Sequence, residues 1–526
     1  MSPEPHSEAA PSVHPWLIAA VVALAAFMEV LDTSIANVAL PHIAGSLSAS
    51  VDESTWVLTS YLVSNAIVLP ASGWIAGRVG RKRFFMLCIV LFTTSSFLCG
   101  IAPTLGAIIL FRVIQGAGGG GLQPMAQAIL ADTFQPELLG QAFAIYGVTT
   151  VVAPVIGPTL GGWITDNYSW RWIFFINIPV GVLALLLISR LVEDPPYFHK
   201  LAKAGVKIDF IGMGLLALGV GCLQVMLDKG QEDDWFGSHF IVTLAVLCAI
   251  SLVTLAIWEW RNKNPLIDVH LFKNFNFLSA NLMMFVLGVL LFSSLVMLPL
   301  FLQTLMGYTA ESAGIVLSFG ALVVLVELPM IGKLTTMVQA RRLVAFGWLL
   351  VALSMFYTTR QLDLEVSFKS MAVLRIIQSL GFPFLFIPLT MAAYFGLPPE
   401  KNNSIAGMMN FMRNIGSSVG TSMVTTLIAR RAQFHQQVLV VHANATSNLF
   451  NGALRGLSQT LLRAGLSATA ALSQAYGRIY QALIGQATTL AYIDTFHVLA
   501  AGSLAMFVLS FVLKKNKPGR GSVTPA

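Results

Sequence analysis

Charge is scarce in this chain of 526 residues: 10% are Asp, Glu, Lys or Arg, while 56% are hydrophobic. A soluble domain carries about 25% charged residues, so this chain cannot cover its apolar surface in water. Lipid has to be part of its solvent. Cysteine is scarce as well. Cys88, Cys99, Cys222 and Cys248 lie inside apolar runs with neither metal-ligand nor redox spacing, which makes them small buried hydrophobes. The sequence has no P-loop, no zinc-ligand pattern and no nucleophile elbow, so neither a cofactor nor a metal is expected. A membrane-embedded acyltransferase would need a His/Asp or Ser/His pair at a membrane face, and a channel would need a filter-like repeat; neither pattern is visible. Lys and Arg are also missing ahead of the first apolar run at Trp16. That excludes a secretory signal with a basic n-region, and the run reads as a retained first helix.

What remains is a series of apolar runs. A helix needs about 20 apolar residues to cross the hydrocarbon. Runs of that kind fall near 16–37, 56–76, 84–102, 107–129, 142–163, 172–191, 209–227, 240–258, 277–301, 313–331, 343–358, 371–394, 405–428 and 491–513. The fold class is therefore all-α and polytopic, with about 14 spans. An even number puts both termini on one side. The formal charge of +7 reads as membrane orientation rather than nucleic-acid binding, because the basic residues sit in short loops. Arg78, Arg81, Lys82 and Arg83, then Arg190, Lys200, Lys203 and Lys207, then Arg261, Lys263 and Lys273 share the side of the termini. Lys333, Arg341, Arg342, Lys401, Lys514, Lys515, Lys517 and Arg520 follow on that side, against Arg171, Lys229, Arg360 and Lys369 opposite. The bias makes both termini cytoplasmic.

The stretch 429–490 is too long for a simple connection. Leu454, Leu457, Leu461, Leu462 and Leu466 recur there at helical spacing, so an amphipathic helix is expected in a long extracytoplasmic loop. It would rest on the membrane surface or the bundle, or dock a partner.

The chain also contains a weak copy of itself. Leu69-Pro-Ala-Ser-Gly73 recurs as Leu328-Pro-Met-Ile-Gly332, and Arg112-Val-Ile-Gln115 recurs as Arg375-Ile-Ile-Gln378. The separations, 259 and 263 residues, pair the second run with the tenth and the fourth with the twelfth. The expected organisation follows: a tail 1–15, a six-helix half 16–191, and two extra helices with their loops in 192–276. A second six-helix half over 277–513 carries the 429–490 loop, and a basic tail covers 514–526. Halves that rock about a central site are how many carriers alternate access.

Ionisable residues inside a span cost roughly 2.5–3.5 kcal/mol each, so they mark function. Glu29 and Asp32 are three residues apart and share a helix face. Desolvation and a neighbouring like charge both favour the protonated form of an acid, which is what proton coupling requires. Glu327, beside Pro329, is a third candidate. Arg112 shares a stripe with Gln115, Gly116, Gly119 and Gln123, and has to face a partner or a wet cavity. Arg375 and Arg413 sit on comparable stripes and read as structural. In the fifth run Gly147, Pro154, Gly157, Pro158 and Gly161 fall on one face, where the prolines bend the helix and the glycines admit a neighbour.

At these residues the sequence resembles the major facilitator superfamily, and most closely the fourteen-helix drug:proton antiporters of the EmrB/QacA type, on the EmrB side. Leu31 through Pro41 is similar to that family's first-helix signature, with its acid at Asp32. Gly73, Arg78, Gly80 and Arg81 fall in its loop motif, where Gly77 replaces the usual acid. Arg112 through Gly116 matches the fourth-helix Arg-x-x-Gln-Gly motif. Ala153 through Gly162 matches the fifth-helix antiporter motif, and Ser169 through Pro179 the start of the sixth helix. The resemblance covers nearly the whole chain. It implies proton-coupled export of small hydrophobic, often cationic compounds across a bacterial inner membrane. It also implies a periplasmic adaptor joined to an outer-membrane channel. The alternatives within a carrier are export of fatty acids or other amphiphilic anions, and import by symport.

Overall fold

A computed structural model describes residues 14–194, 209–262, 265–444 and 447–514. The tails before His14 and after Lys514, and the basic residues Lys200, Lys203, Lys207, Lys263, Lys515, Lys517 and Arg520, lie outside the described residues.

Among the described residues the structure is built of helices. In chain order these are α1 Pro15–Ser46, α2 Trp56–Val79, α3 Arg81–Gly100, α4 Leu105–Thr133, α5 Pro136–Asn167 and α6 Trp172–Leu191. Then come α7 Phe210–Lys229, α8 His239–Arg261, α9 Phe275–Thr304, α10 Ala310–Leu334, α11 Ala340–Gln361 and α12 Phe368–Tyr394. Last are α13 Asn402–Val440, α14 Asn448–Arg463 and α15 Ala468–Ser510. Thirteen helices among the described residues are long and apolar enough to cross a membrane. Helix α13 falls short on composition alone, because Asn402, Asn403, Asn410 and Arg413 are buried in it. It packs against α9, α2, α4 and α15. A helix walled in by others needs no apolar coat, so its polar residues face partners instead of lipid. By position it is the thirteenth span, and it brings the number to fourteen.

Local chemistry sets the breaks. Gly80 turns α2 into α3 at φ +94°, a backbone region in which other residues are strained. Thr104, Asn274, Ser367 and Ser467 cap α4, α9, α12 and α15 by accepting backbone N–H bonds. Helix α12 breaks after Ser379 and resumes at Phe382, where Pro383 supplies no N–H to continue the ladder.

Packing has two layers of order. Within α1–α6, α1 lies on α5 and α2 on α4; within the later helices, α9 lies on α13 and α11 on α15. The two groups meet where α2 touches α13 and where α5 touches α10. A shift of eight helices turns the first of these contacts into the second, so one crossing is built twice. Helices α7 and α8 pair with each other, and α7 leans on α2 and α13. The first and last described residues lie at one face of the bundle. Trp16 packs at a tilt on Phe134, Asp132 meets Asn402, Asn274 donates to the Phe395 carbonyl, and Lys514 N–H donates to Asn276.

The 429–490 stretch differs from a long loop. Helix α13 runs on to Val440, α15 begins at Ala468, and α14 lies between them in the chain. Apolarity stops where these helices leave the bundle, but helix propensity does not, so the runs 405–428 and 491–513 mark only part of each. The leucine face of α14 is covered by the chain itself: Leu454, Leu457, Leu461 and Leu466 pack with Ala471 and Ala475 of α15.

Candidate functional site

Asp32 sits midway along α1, and its carboxylate is nearly inaccessible. Its Oδ2 accepts a bond from Arg112 Nη1 at 2.6 Å, and its Oδ1 accepts from Gln115 Nε2 at 3.0 Å and Asn177 Nδ2 at 2.7 Å. Arg112 is held from other sides as well. Its Nη1 also donates to Gln115 Oε1 at 2.9 Å, and its Nε donates to the Val57 carbonyl at 3.0 Å. The guanidinium carbon lies 4.2 Å from the centre of the Tyr61 ring, a cation–π contact. Of the two surroundings its position allows, a partner or a wet cavity, the structure gives Arg112 a partner, Asp32. Gly116 is small because α2 presses on it, with the Tyr61 carbonyl where a side chain would begin.

Glu29, one helical turn away on the same face, has a different set of neighbours. Its Oε1 accepts from Tyr61 Oη at 3.1 Å and Asn65 Nδ2 at 3.0 Å, and its Oε2 from Gln123 Nε2 at 2.5 Å. All three donors are neutral, whereas Asp32 has a cation in contact. Gln123 passes the link onward. Its Oε1 accepts from Tyr146 Oη of α5 at 3.0 Å and from Arg413 Nη2 of α13. Asn410 of α13 in turn donates to Gln127 Oε1 of α4 at 2.8 Å. Asp32 is thus tied within α1–α6, while Glu29 is tied across to α13. Tyr61 touches both systems, with its hydroxyl on Glu29 and its ring under Arg112.

The other expected residues fall elsewhere. Glu327 lies half-buried on α10, with Val326 and Met330 exposed beside it and Oε2 without a hydrogen-bond partner. The structure does not bring it to Glu29 or Asp32. Gly73 and its repeat mate Gly332 share one task. A Cβ on Gly73 would stand 2.7 Å from Ser404 N, and one on Gly332 would stand 2.9 Å from the Gly140 carbonyl. Each glycine marks a crossing of the two helix groups, α2 on α13 and α10 on α5. Nearby, Arg81 pairs with Asp132 and bonds the Ala128 carbonyl at 3.1 Å, and Asp132 accepts from Asn402 Nδ2 at 2.5 Å. A charged latch therefore exists without an acid at position 77, where a Cβ would meet nothing within 4 Å. Arg78 stacks on Trp74 at 4.7 Å, and Asp194 accepts the Lys82 backbone N–H at 2.7 Å beside Gly80.

In α5, the Pro154 carbonyl accepts from Ser34 Oγ at 3.0 Å, Gly157 abuts Ser34, and Gly161 abuts Ile35. Pro158 lies on the same helix between those glycines. The stripe thus seats α1 two residues from Asp32, while Gly147 of the same helix faces Leu328 of α10. Sequence reasoning singled out neither Tyr61, Asn65 nor Asn177. A buried tyrosine or asparagine in an apolar run is the available signal, and it is weak until the acid opposite is known.

Comparison with known proteins places the chain in a family. The family model for the Major Facilitator Superfamily matches residues 22–421. The chain belongs to the major facilitator superfamily. Within the superfamily it is of the EmrB type. It is 38% identical to the multidrug export protein EmrB of Haemophilus influenzae over 500 residues, 95% of each chain. It is 36% identical to EmrB of Escherichia coli K12 over 495 residues, 94% of each chain. The fatty acid resistance protein FarB of Neisseria gonorrhoeae is 34% identical over 496 residues, again 94% of each. Among solved structures, the proton:xylose symporter XylE superposes with a TM-score of 0.60 at 11% identity, covering 97% of this chain and 98% of that one. The human organic anion transporter MFSD10 does so with 0.58 at 12%, covering 95% and 100%. At such identities the likeness is of major facilitator fold alone. The superfamily assignment makes the protein a multi-pass membrane transporter.

Proposed function

We propose that the protein is a proton-coupled antiporter that exports hydrophobic and amphiphilic compounds, lipophilic cations among them, across the inner membrane. In this reading both termini are cytoplasmic, and residues 16–191 and 277–513 are halves that rock about the site, joined by the two helices of 192–276. One observation carries the proposal: two acids on one face of α1, one paired to Arg112 within its own half and the other linked through Gln123 to Arg413 of the opposite half. Asp32 is the coupling acid. Adding a proton to it removes the countercharge of Arg112 and frees Gln115 and Asn177. Glu29, surrounded by neutral donors, is the acid offered to a cationic substrate, and losing its charge loosens the ladder that joins the halves. The glycines at the α2–α13 and α5–α10 crossings, with the Arg81–Asp132–Asn402 latch, hold the cytoplasmic side shut until then. The helical hairpin of α13, α14 and α15 stands on the periplasmic side, where an adaptor leading to an outer-membrane channel would meet it.

The test is export in proteoliposomes with an imposed pH gradient, using tetraphenylphosphonium as the cation. Uphill movement that collapses on adding a protonophore is expected. Accumulation indifferent to the protonophore would refute proton coupling. A second reading, export of amphiphilic anions, is favoured by the likeness to FarB and by the arginine considered next.

A further inference from the structure

The repeat places Arg375 where Arg112 stands in the first half, and Gln378 where Gln115 stands. The environments match in part. Arg112 Nη1 reaches Asp32 of α1; Arg375 Nη1 reaches Ser294 of α9 at 3.4 Å. Ser294 lies 262 residues after Asp32, so it occupies the acid's place in the second half. The second half therefore has the arginine without the carboxylate.

Arg375 is 2% exposed. Of the three arginines buried in the middle of the bundle, Arg112 has Asp32 in contact and Arg413 has Glu29 one side chain away. Among the described residues Arg375 has no ion pair. Its Nε has no acceptor, and Gln378 Oε1 beside it in the repeat pattern has no donor. Gly320 of α10 packs closely against the Nε side, where a Cβ would stand 2.8 Å from that nitrogen, and it offers no side-chain acceptor there. Glu327 is seven residues further along α10, about 10 Å of helix rise away. A guanidinium does not shed its proton, and leaving one unpaired in a membrane interior costs several kcal/mol. A planar fork of N–H donors in such a place matches a carboxylate held by two bonds.

We propose that Arg375, with Ser294, forms an anion subsite that takes the carboxylate of an amphiphilic substrate such as a medium-chain fatty acid. The subsite sits in the C-terminal half, opposite the acids of α1, so one carrier holds cationic headgroups on one side of its centre and anionic ones on the other. This rests on the exporter reading above and names a substrate class for it.

The experiment measures equilibrium binding of labelled octanoate and labelled octyltrimethylammonium, which share a chain length and differ in headgroup charge. The full chain is held in nanodiscs of zwitterionic lipid, so no anionic headgroup competes. Arg375→Gln is expected to weaken octanoate binding roughly ten- to hundredfold, the value of a charged hydrogen bond, with octyltrimethylammonium unchanged. Ser294→Asp rebuilds the Asp32–Arg112 pair in the second half and should cost octanoate alone by a similar factor while keeping the fold. Equal losses for both ligands in Arg375→Gln would make the arginine structural and overturn the proposal. So would octanoate binding that Ser294→Asp leaves intact, or a wild-type protein that takes labelled chloride but not octanoate. Proton-driven export of octyltrimethylammonium by the same preparation separates the two ideas: its failure counts against the exporter reading, whereas octanoate failure with intact cation export counts against the subsite alone.

Discussion

Replacing Asp32 by Asn removes one charge and, as the geometry shows, does more than that. The carboxylate is an acceptor on both sides, with Arg112 on Oδ2 and the amides of Gln115 and Asn177 on Oδ1. An Asn side chain offers one oxygen and one NH2. If its oxygen keeps Arg112, its NH2 faces two amide donors; if its oxygen keeps the amides, its NH2 faces a guanidinium. Rotating Gln115 does not help, since its own oxygen already accepts from Arg112. The substitution therefore breaks a buried ion pair and leaves Arg112 uncompensated, a cost of about 3–5 kcal/mol. Denaturation in detergent reads this directly, and uphill export in proteoliposomes should be lost. Arg112→Gln alone should also be destabilising, because it leaves Asp32 charged and buried. The two together should cost less than the sum, by about 0.5–3 kcal/mol, because they share one interaction. Normal uphill export by Asp32→Asn would refute the coupling role, and strictly additive stability costs would refute the ion pair as its cause.

Two shorter predictions follow from packing. Gly157→Ala puts a methyl group into Ser34, whose Cβ lies 2.5 Å from the position it would take; a stability loss of about 1–3 kcal/mol with reduced transport and retained tetraphenylphosphonium binding is expected, and full transport would show that the stripe does not set the seat of α1. On the hairpin, Leu461 is buried against α15 while Leu449 is 88% exposed, so Leu461→Asp should unseat α14 and lower the unfolding temperature. Leu449→Asp should leave stability and proteoliposome transport intact; an adaptor docking there predicts lost whole-cell resistance, and resistance at the wild-type level would remove that face from the adaptor contact.

Much of this arrangement is legible in the sequence, for particular reasons. Span positions follow from apolar run length, and Asp32 and Arg112 stand out because a charge in such a run is costly. The Gly73/Gly332 pair is legible because the repeat preserves it, although only the structure shows both glycines at a crossing of helix groups. The pairing of Asp32 with Arg112 is not legible, since both residues sit in runs whose neighbours are unknown. Nor is the Gln123–Arg413 bond, which joins residues 290 apart in the chain. Hydropathy under-reads α13 for a physical reason: a helix enclosed by α2, α4 and α9 pays no lipid penalty for asparagine and arginine. Glu327 shows the converse, for an acid in an apolar run stands out equally whether or not the fold brings it to other acids.

The two long helices at the end of the chain turn a small internal motion into a large external one. At about 1.5 Å per residue, the 39 residues of α13 extend roughly 58 Å, nearly twice the ~30 Å hydrocarbon layer. A tip about 43 Å from the bilayer midplane moves about 0.7 Å for each degree of tilt. Helix α15 runs alongside α13 and carries α14 on its outer end, so a tilt of α13 where Arg413 meets the Gln123–Glu29 link would swing that outer end as one stiff pointer.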